Sequence, residues 1–155
     1  MNDFKVRGLT EKDVIAVKQL DSMSGFGLAP WVADTSPDDD PFGWGLFVND
    51  LLIGYCTIGY ADDVCEKITS HPLHTGNSLL VSDVFIRPAY RHFGLGRRMI
   101  KSAIEQRWEL DESKEPVFLV CAHEKVKPVY RKAGFETIFN KSFESVMVLV
   151  PEENA

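Results

Sequence analysis

Residues 84–98 read V-F-I-R-P-A-Y-R-H-F-G-L-G-R-R. An apolar end, a proline, two glycines one residue apart and then an apolar-periodic run make a strand, a turn and the start of a helix. Gly94 and Gly96 let the backbone turn tightly or come close to something else. Beyond them Leu95, Met99, Ile100, Ala103, Ile104 and Trp108 form a helical stripe, with Arg97, Arg98, Lys101 and Glu105 outside it. Upstream, residues 79–86 (LLVSDVFI) are apolar at both alternating positions except for Ser82 and Asp83. That is the pattern of a central strand covered on both faces. Downstream, residues 117–121 (VFLVC) follow Pro116 as the next strand. A strand–helix–strand unit therefore lies at the centre of the chain.

Outward from this unit the order stays mixed. Residues 4–9 form a short first strand. Thr10 caps a helix carrying Glu11 and Asp13 in its first turn, with Val14, Val17 and Leu20 at helical spacing. Residues 22–42, with Gly25, Gly27, Pro30, Pro37 and Pro41, show no clear period and read as either a short helix or a functional loop. Residues 46–48 and 52–60 are two strands around the turn Asn49-Asp50. Residues 61–77 form a polar connection. Val126, Val129, Tyr130 and Ala133 fall at i, i+3, i+4, i+7, with Pro128 in the first turn of that helix and Gly134 as its C-cap. Residues 135–139 and 143–150 close the chain as a hairpin.

The 155 residues suit one domain, 1–155, of the mixed α/β (α+β) class. No apolar run approaches the ~20 residues needed to span a bilayer. No signal-peptide core follows Met1, so a cytoplasmic location is expected. Cys56, Cys65 and Cys121 form no C-x-x-C and read as free thiols. His71 and His74 lack further ligands, so no metal is expected. The net charge of −6 argues against nucleic acid as a partner, and nothing suggests a membrane partner.

That charge is unevenly spread. Residues 84–104 contain no Asp or Glu, yet hold Arg87, Arg91, Arg97, Arg98 and Lys101. The first turn of a helix has N–H groups without intrahelical acceptors, and a glycine turn lets a ligand approach them. With the positive dipole end, they form an anion site suited to phosphate, to which Arg91 and Arg97 add charge-assisted bonds. Two familiar phosphate loops do not fit. A dinucleotide fingerprint needs a third glycine where Met99 stands, and a P-loop needs Gly-Lys-Ser/Thr where Gly96-Arg97-Arg98 stands. Taken alone, two glycines so spaced more often mark a turn that only permits strand-to-helix packing.

The wider pattern narrows the choice. Residues 84–96 resemble the acetyl-CoA motif of the GNAT N-acetyltransferase superfamily: an apolar strand end, Pro88, the aromatic Tyr90, then Arg91-x-x-Gly94-x-Gly96 opening a helix. Val129-Tyr130-Arg131-Lys132-Ala133-Gly134-Phe135 resembles the same family's Tyr-x-x-x-Gly-Phe element, at the family's spacing. The resemblance implies a mixed, mostly antiparallel sheet flanked by helices along nearly the whole chain. It further implies that N–H groups of Arg91, His92, Phe93, Gly94, Leu95 and Gly96, with Arg97, hold the pyrophosphate of acetyl-CoA. Backbone of Val84, Phe85 and Ile86 would meet the pantetheine arm or the oxyanion, and Tyr130 would contact and protonate the coenzyme sulfur. Seven residues before Tyr130, where the family often has Asn, this chain has His123, whose imidazole can take over the hydrogen bond to pantetheine or act as an acid/base group.

The acceptor implied is a primary amine. Asp83 is the candidate general base, because a carboxylate in an apolar strand needs a partner or a function; a structural hydrogen bond to a nearby loop is the competing reading. Tyr130 likewise reads as either the acid or a core residue of its helix stripe. Asp34, Asp38, Asp39 and Asp40 would draw a cationic acceptor, or form a solvated acidic loop. Trp31, Phe42 and Trp44 would line the acceptor pocket or belong to the core. Two other functions stay open, a non-catalytic acyl-CoA-binding module and transfer of a different acyl group. Residues 146–150 would pair across a homodimer or complete the core.

Overall fold

A computed structural model describes residues 3–61, 68, 70–121, 126–140 and 145–151. Cys65 and His123 lie outside the described residues. Seven strands form one mostly antiparallel sheet in the order β1-β2-β3-β4-β5-β7-β6, flanked by helices. The strands are β1 Phe4–Gly8, β2 Gly43–Val48, β3 Leu51–Tyr60, β4 Leu79–Ile86, β5 Val117–Cys121, β6 Glu136–Asn140 and β7 Ser145–Leu149. The helices are α1 Val14–Ser24, α2 Ala29–Ala33, α3 Leu95–Asp111 and α4 Lys127–Lys132. By internal contacts the chain divides into two compact units, one of Met1–Thr57 with Asp83–Glu105, the other of Ile58–Ser82 with Gln106–Ala155.

In the first unit β1 and β2 pair antiparallel from Phe4↔Val48 to Gly8↔Trp44, and β2 pairs antiparallel with β3. The two-residue turn Asn49-Asp50 has φ of 48° and 70°. Positive φ at both central residues is the requirement of a type I′ hairpin, which Asn and Asp meet better than most residues. Thr10 and Asp13 form a reciprocal capping box at a 3-10 turn, Glu11–Asp13, that leads into α1. Arg7 donates to both Asp13 oxygens at 2.9 Å. Leu9, Val17, Leu20, Leu28, Val32 and Phe47 are buried together as its core, each contributing about 1.5–3 kcal/mol by leaving water.

Residues 22–42 carry more structure than their composition suggests. α1 runs on to Ser24, and α2 follows after a turn. The reason is Asp21, whose carboxylate accepts the N–H groups of Leu28 at 3.0 Å and Ala29 at 2.8 Å. A helix of five residues with Pro30 in its first turn thus takes its N-terminal acceptor from eight positions upstream. Trp44 is fully buried, Phe42 packs against the core, and Trp31 is 68% exposed.

In the second unit β4 and β5 start a parallel pair at Leu79↔Val117, and β7 runs antiparallel between β5 and β6. Ala61, Ile68, Phe118, Val146 and Val148 are buried together. On α4 the expected stripe is altered: Val126 is exposed, while Lys127 is only 3% exposed. Lys127 Nζ donates to Asn140 Oδ1 at 3.0 Å, an acceptor it shares with the Ser145 hydroxyl at 2.7 Å. A buried ammonium is tolerable only with such partners. Cys56, fully buried in the first unit, has its thiol pushed up to about 12 by that burial, so it stays protonated and inert.

Candidate coenzyme and catalytic site

β4 is apolar enough to form a strand, but it is not a uniform one. Asp83 has φ of 53°, in the left-handed region, so the strand is kinked as at a β-bulge immediately before Val84. Beyond the kink Val84 and Phe85 are half-buried and Ile86 is buried. The expectation of a strand covered on both faces is thus met only in part: Leu79 and Val81 are buried on one face, Leu80 is half-buried on the other, and residues 82–85 are half-buried throughout. Asp tolerates this conformation because its short polar side chain can hydrogen-bond locally. Thr57 Oγ1 donates to Asp83 Oδ2 at 3.3 Å.

After Ile86 the chain makes a 3-10 turn over Pro88–Tyr90 and then changes hand repeatedly. Arg91 is extended, His92 has φ of 72°, and Gly94 has φ of 75° before α3 opens at Leu95. The Arg98 N–H donates to the Gly94 carbonyl at 3.2 Å, which makes Gly94 the N-cap. Residues of alternating hand followed by the free first turn of a seventeen-residue helix form a nest of amide donors. A Cβ built on Gly94 meets nothing nearer than Arg97 Nη2 at 4.0 Å, so open space lies beside the backbone there. This shape and polarity fit a pyrophosphate.

The basic side chains divide their work. Arg87 is pinned, its Nε donating to the Leu52 carbonyl at 2.9 Å and its Nη2 to Gln19 Oε1 at 3.3 Å. Arg98 lies over the Phe4 ring at 5.2 Å. Arg91 donates through Nε to the Ile86 carbonyl at 2.8 Å and lies 5.2 Å from the Phe85 ring centroid. Arg97 and Lys101 are exposed. The positive charge of the segment thus serves partly to brace the loop, and Arg97 is the arginine at the helix start without a bracing contact among the described residues.

The first unit also holds a polar cluster that local patterns did not reveal. Tyr55, fully buried on β3, donates to Asp21 Oδ1 at 2.7 Å and lies 2.5 Å from Ser24 Oγ. Burial pushes its phenol well above the usual range, and the charges of Asp21 and Asp83 add to this while the Ser24 bond opposes it. Its ring stands 6.1 Å from Phe85 and 6.4 Å from Phe26. Ser24 and Asp21 lie 31 and 34 positions from Tyr55 in sequence, so only the fold brings them together.

Tyr130 belongs to the second unit. It is the third residue from the end of α4, which closes with both bonds of a Schellman motif: the Phe135 N–H donates to the Tyr130 carbonyl at 3.0 Å, and the Gly134 N–H to the Arg131 carbonyl at 3.0 Å. The cap residue itself is Ala133, and Gly134, one position later, takes φ of 105°. The Tyr130 and Phe135 rings meet edge to face at 6.2 Å. In Tyr-x-x-x-Gly-Phe the last two residues are thus the stop that orients the first. Among the described residues no three His, Cys, Asp or Glu side chains form a metal-ligand group. His74 Nε2 is 2.8 Å from the Ala61 carbonyl, and His71 Nδ1 accepts the Leu73 N–H at 3.1 Å. Asp34, Asp38, Asp39 and Asp40 are exposed, Asp39 closing a turn onto the Ser36 N–H at 2.8 Å.

A sheet with a kinked fourth strand leading into an amide nest at a helix start is the frame of an acyltransferase that uses coenzyme A. The chain belongs to the GNAT acetyltransferase family: the profile of the Acetyltransferase (GNAT) domain matches residues 44–151. Among solved structures it is similar to the PaiA N-acetyltransferase of Thermoplasma acidophilum in complex with coenzyme A, with 14% identity over 96% of this chain and 99% of that one, and a TM-score of 0.70. It is also similar to Arabidopsis thaliana NAA60 in complex with a bisubstrate analogue (12% identity, 97% and 100% covered, TM-score 0.68). A third is the ribosomal-protein-S18-alanine N-acetyltransferase of Escherichia coli (13%, 99% and 99%, 0.65). No curated protein sequence matches the chain.

Proposed function

We propose that the protein is an N-acetyltransferase that moves an acetyl group from acetyl-CoA to a primary amine of a small molecule or peptide by direct attack. The observation that carries this reading is the donor nest built by His92, Gly94 and the first turn of α3. N-acetyltransferases among the similar structures, one with coenzyme A bound, support it.

An alkylammonium with a pKa of about 10.4 must lose its proton at a cost of about 4.6 kcal/mol at pH 7. Asp83, directly or through water, takes that proton as general base. The amine nitrogen forms a bond to the thioester carbonyl carbon, and a backbone N–H near Val84 or Phe85 stabilises the oxyanion. Collapse breaks the C–S bond: the nitrogen gives up its second proton to water, the departing thiolate takes one from Tyr130, and the tyrosinate is reprotonated by that water. Acetyl-CoA and an ammonium thus give the acetamide, coenzyme A thiol and one released proton. The peptide N–H groups of residues 92–96 and Arg97 hold the phosphates, the Arg91 N–H being committed instead to the Pro88 carbonyl at 3.3 Å, and His123 meets the pantetheine arm.

The test is thiol release from acetyl-CoA with a panel of primary amines, alongside calorimetric titration with coenzyme A. Amine-dependent release is expected. Coenzyme binding with no release for any amine would make the protein a binding module, and absence of binding would remove the coenzyme reading altogether.

A further inference from the structure

Phe93 is 71% exposed, and its backbone lies inside a run of open amide donors. The Arg91 N–H donates to the Pro88 carbonyl at 3.3 Å, and the Arg98 N–H to the Gly94 carbonyl at 3.2 Å. Among the described residues, the N–H groups between these two, from His92 to Arg97, meet no acceptor. An anion that fills those donors therefore lies against the peptide that carries the Phe93 ring, a ring only one methylene away from its Cα.

A single exposed aromatic residue is ordinary on a protein surface. Here the backbone of that residue is fixed relative to the donors. Phe93 stands between His92 at φ 72° and Gly94 at φ 75°. The loop before it is braced by Arg91, whose Nε donates to the Ile86 carbonyl at 2.8 Å. A ring held on such a loop loses little freedom when a ligand covers it. Nor does the ring serve the arginines nearby, since Arg91 lies over Phe85 and Arg98 over Phe4. Among the described residues Phe93 makes no ring contact, so its face is available to a ligand.

The position of the phosphates decides which part of the coenzyme that ligand is. In the proposed binding mode the pantetheine arm runs along Val84, Phe85 and Ile86, which are half-buried or buried. The other substituent of the pyrophosphate is adenosine, which leaves on the side away from the strand, toward solvent, where the exposed ring stands. Adenine is the flat π-system of coenzyme A, and every base presents such a face to an aromatic side chain. Arg97, whose Nη2 lies 4.0 Å from where a Gly94 Cβ would sit, stays with the phosphates. We infer that the Phe93 ring stacks on the adenine of the coenzyme, so that the chain selects nucleotide-bearing thioesters over thioesters of phosphopantetheine alone. The inference rests on the proposed coenzyme site and adds its nucleotide half.

The experiment is calorimetry with coenzyme A and with 4′-phosphopantetheine, which ends at its phosphate, on the wild type, Phe93→Ala, Phe93→Leu and Phe93→Trp. The ring is exposed, so none of these changes removes a core contact. Coenzyme A should bind about tenfold more weakly to Phe93→Ala and Phe93→Leu, within the range of base–aromatic stacking, while Phe93→Trp matches the wild type. Affinity for 4′-phosphopantetheine should be the same in all four proteins. The added indole of Phe93→Trp should be quenched by 3′,5′-ADP, a change the wild type does not show. Unaltered coenzyme A affinity in Phe93→Ala, wild-type affinity in Phe93→Leu, an equal loss for 4′-phosphopantetheine, or an unquenched indole would each overturn the stacking. Those results would leave the coenzyme site standing, provided the wild type binds coenzyme A. A wild type that does not bind it would defeat the coenzyme reading and the stacking together.

Discussion

Replacing Gly94 by alanine sets a fixed cost on the coenzyme-bound protein, however that cost is divided. An L-residue held in the left-handed region at φ 75° loses about 1–2 kcal/mol relative to glycine. No steric term adds to it, because the new methyl would meet only Arg97 Nη2 at 4.0 Å. If the loop keeps its shape, the free protein is destabilised by that amount and coenzyme A affinity is unchanged. If the exposed loop relaxes to a commoner conformation, stability is kept, and the coenzyme must restore the nest on binding. Affinity then falls by about 5–30-fold, the equivalent of the same 1–2 kcal/mol. The two losses, measured by urea titration of the free protein and calorimetry with coenzyme A, should therefore sum to about 1–2 kcal/mol. Gly94→Asn should give a smaller sum, since asparagine accepts the left-handed region more readily. A Gly94→Ala protein with wild-type stability and wild-type affinity would refute both the strain and the role of the loop.

Tyr130→Phe should cut turnover by about 100-fold or more, the usual share of a general acid, with coenzyme affinity nearly intact; unaltered turnover across pH would remove Tyr130 as the proton donor. Asp83→Asn keeps the left-handed backbone while removing the charge, so the ascending limb of the pH–rate profile should move toward the amine's own pKa, and an unmoved limb would leave Asp83 structural. Burial alone would raise the Asp13 pKa, but hydrogen bonds from Arg7 and the Thr10 N–H, with the Arg7 charge, outweigh it and hold the folded value below the ordinary one. Its stabilisation is thus full above the unfolded carboxylate value of about 3.9 and lost as pH falls through the folded value. The melting temperature of the wild type should exceed that of Asp13→Asn at about pH 6, and the gap should close below about pH 4; a gap constant down to about pH 2.5 would contradict this. Gly134→Ala should cost about 1–3 kcal/mol in a urea titration, since φ is 105° and the added Cβ would sit 2.9 Å from Leu149 Cδ1.

What could be read from sequence was whatever depends on neighbours along the chain. The β4–loop–α3 unit, the Asn49-Asp50 hairpin and the α3 stripe are local patterns, and the fold places them as expected. The α2 helix was only one of two readings of residues 22–42, because its acceptor, Asp21, sits eight residues away and its own five residues carry no helical period. The burial of Lys127 has no signal in its own segment; it follows from Asn140, which takes its ammonium, and Ser145, which shares that acceptor, at the facing ends of β6 and β7. The arginines around the turn share a charge but not a task, and only their partners, Leu52, Gln19, Phe4 and Ile86, tell Arg87, Arg98 and Arg91 apart. The kink at Asp83 has a partial signal, a polar pair interrupting an apolar strand, but no sequence pattern gives the sign of φ.

That sign has a consequence for how such a protein can change over time. A left-handed position inside a strand admits few residues at low cost: glycine, asparagine and aspartate. Two of those three lack a charge at neutral pH. The same backbone that carries Asp83 would accept Asn there with little strain, so the proposed base could be lost by one substitution while the nest of residues 92–96 stays whole. A transferase that relied on this carboxylate would stand one conservative replacement away from a protein that still holds coenzyme A and transfers only to amines that are already neutral.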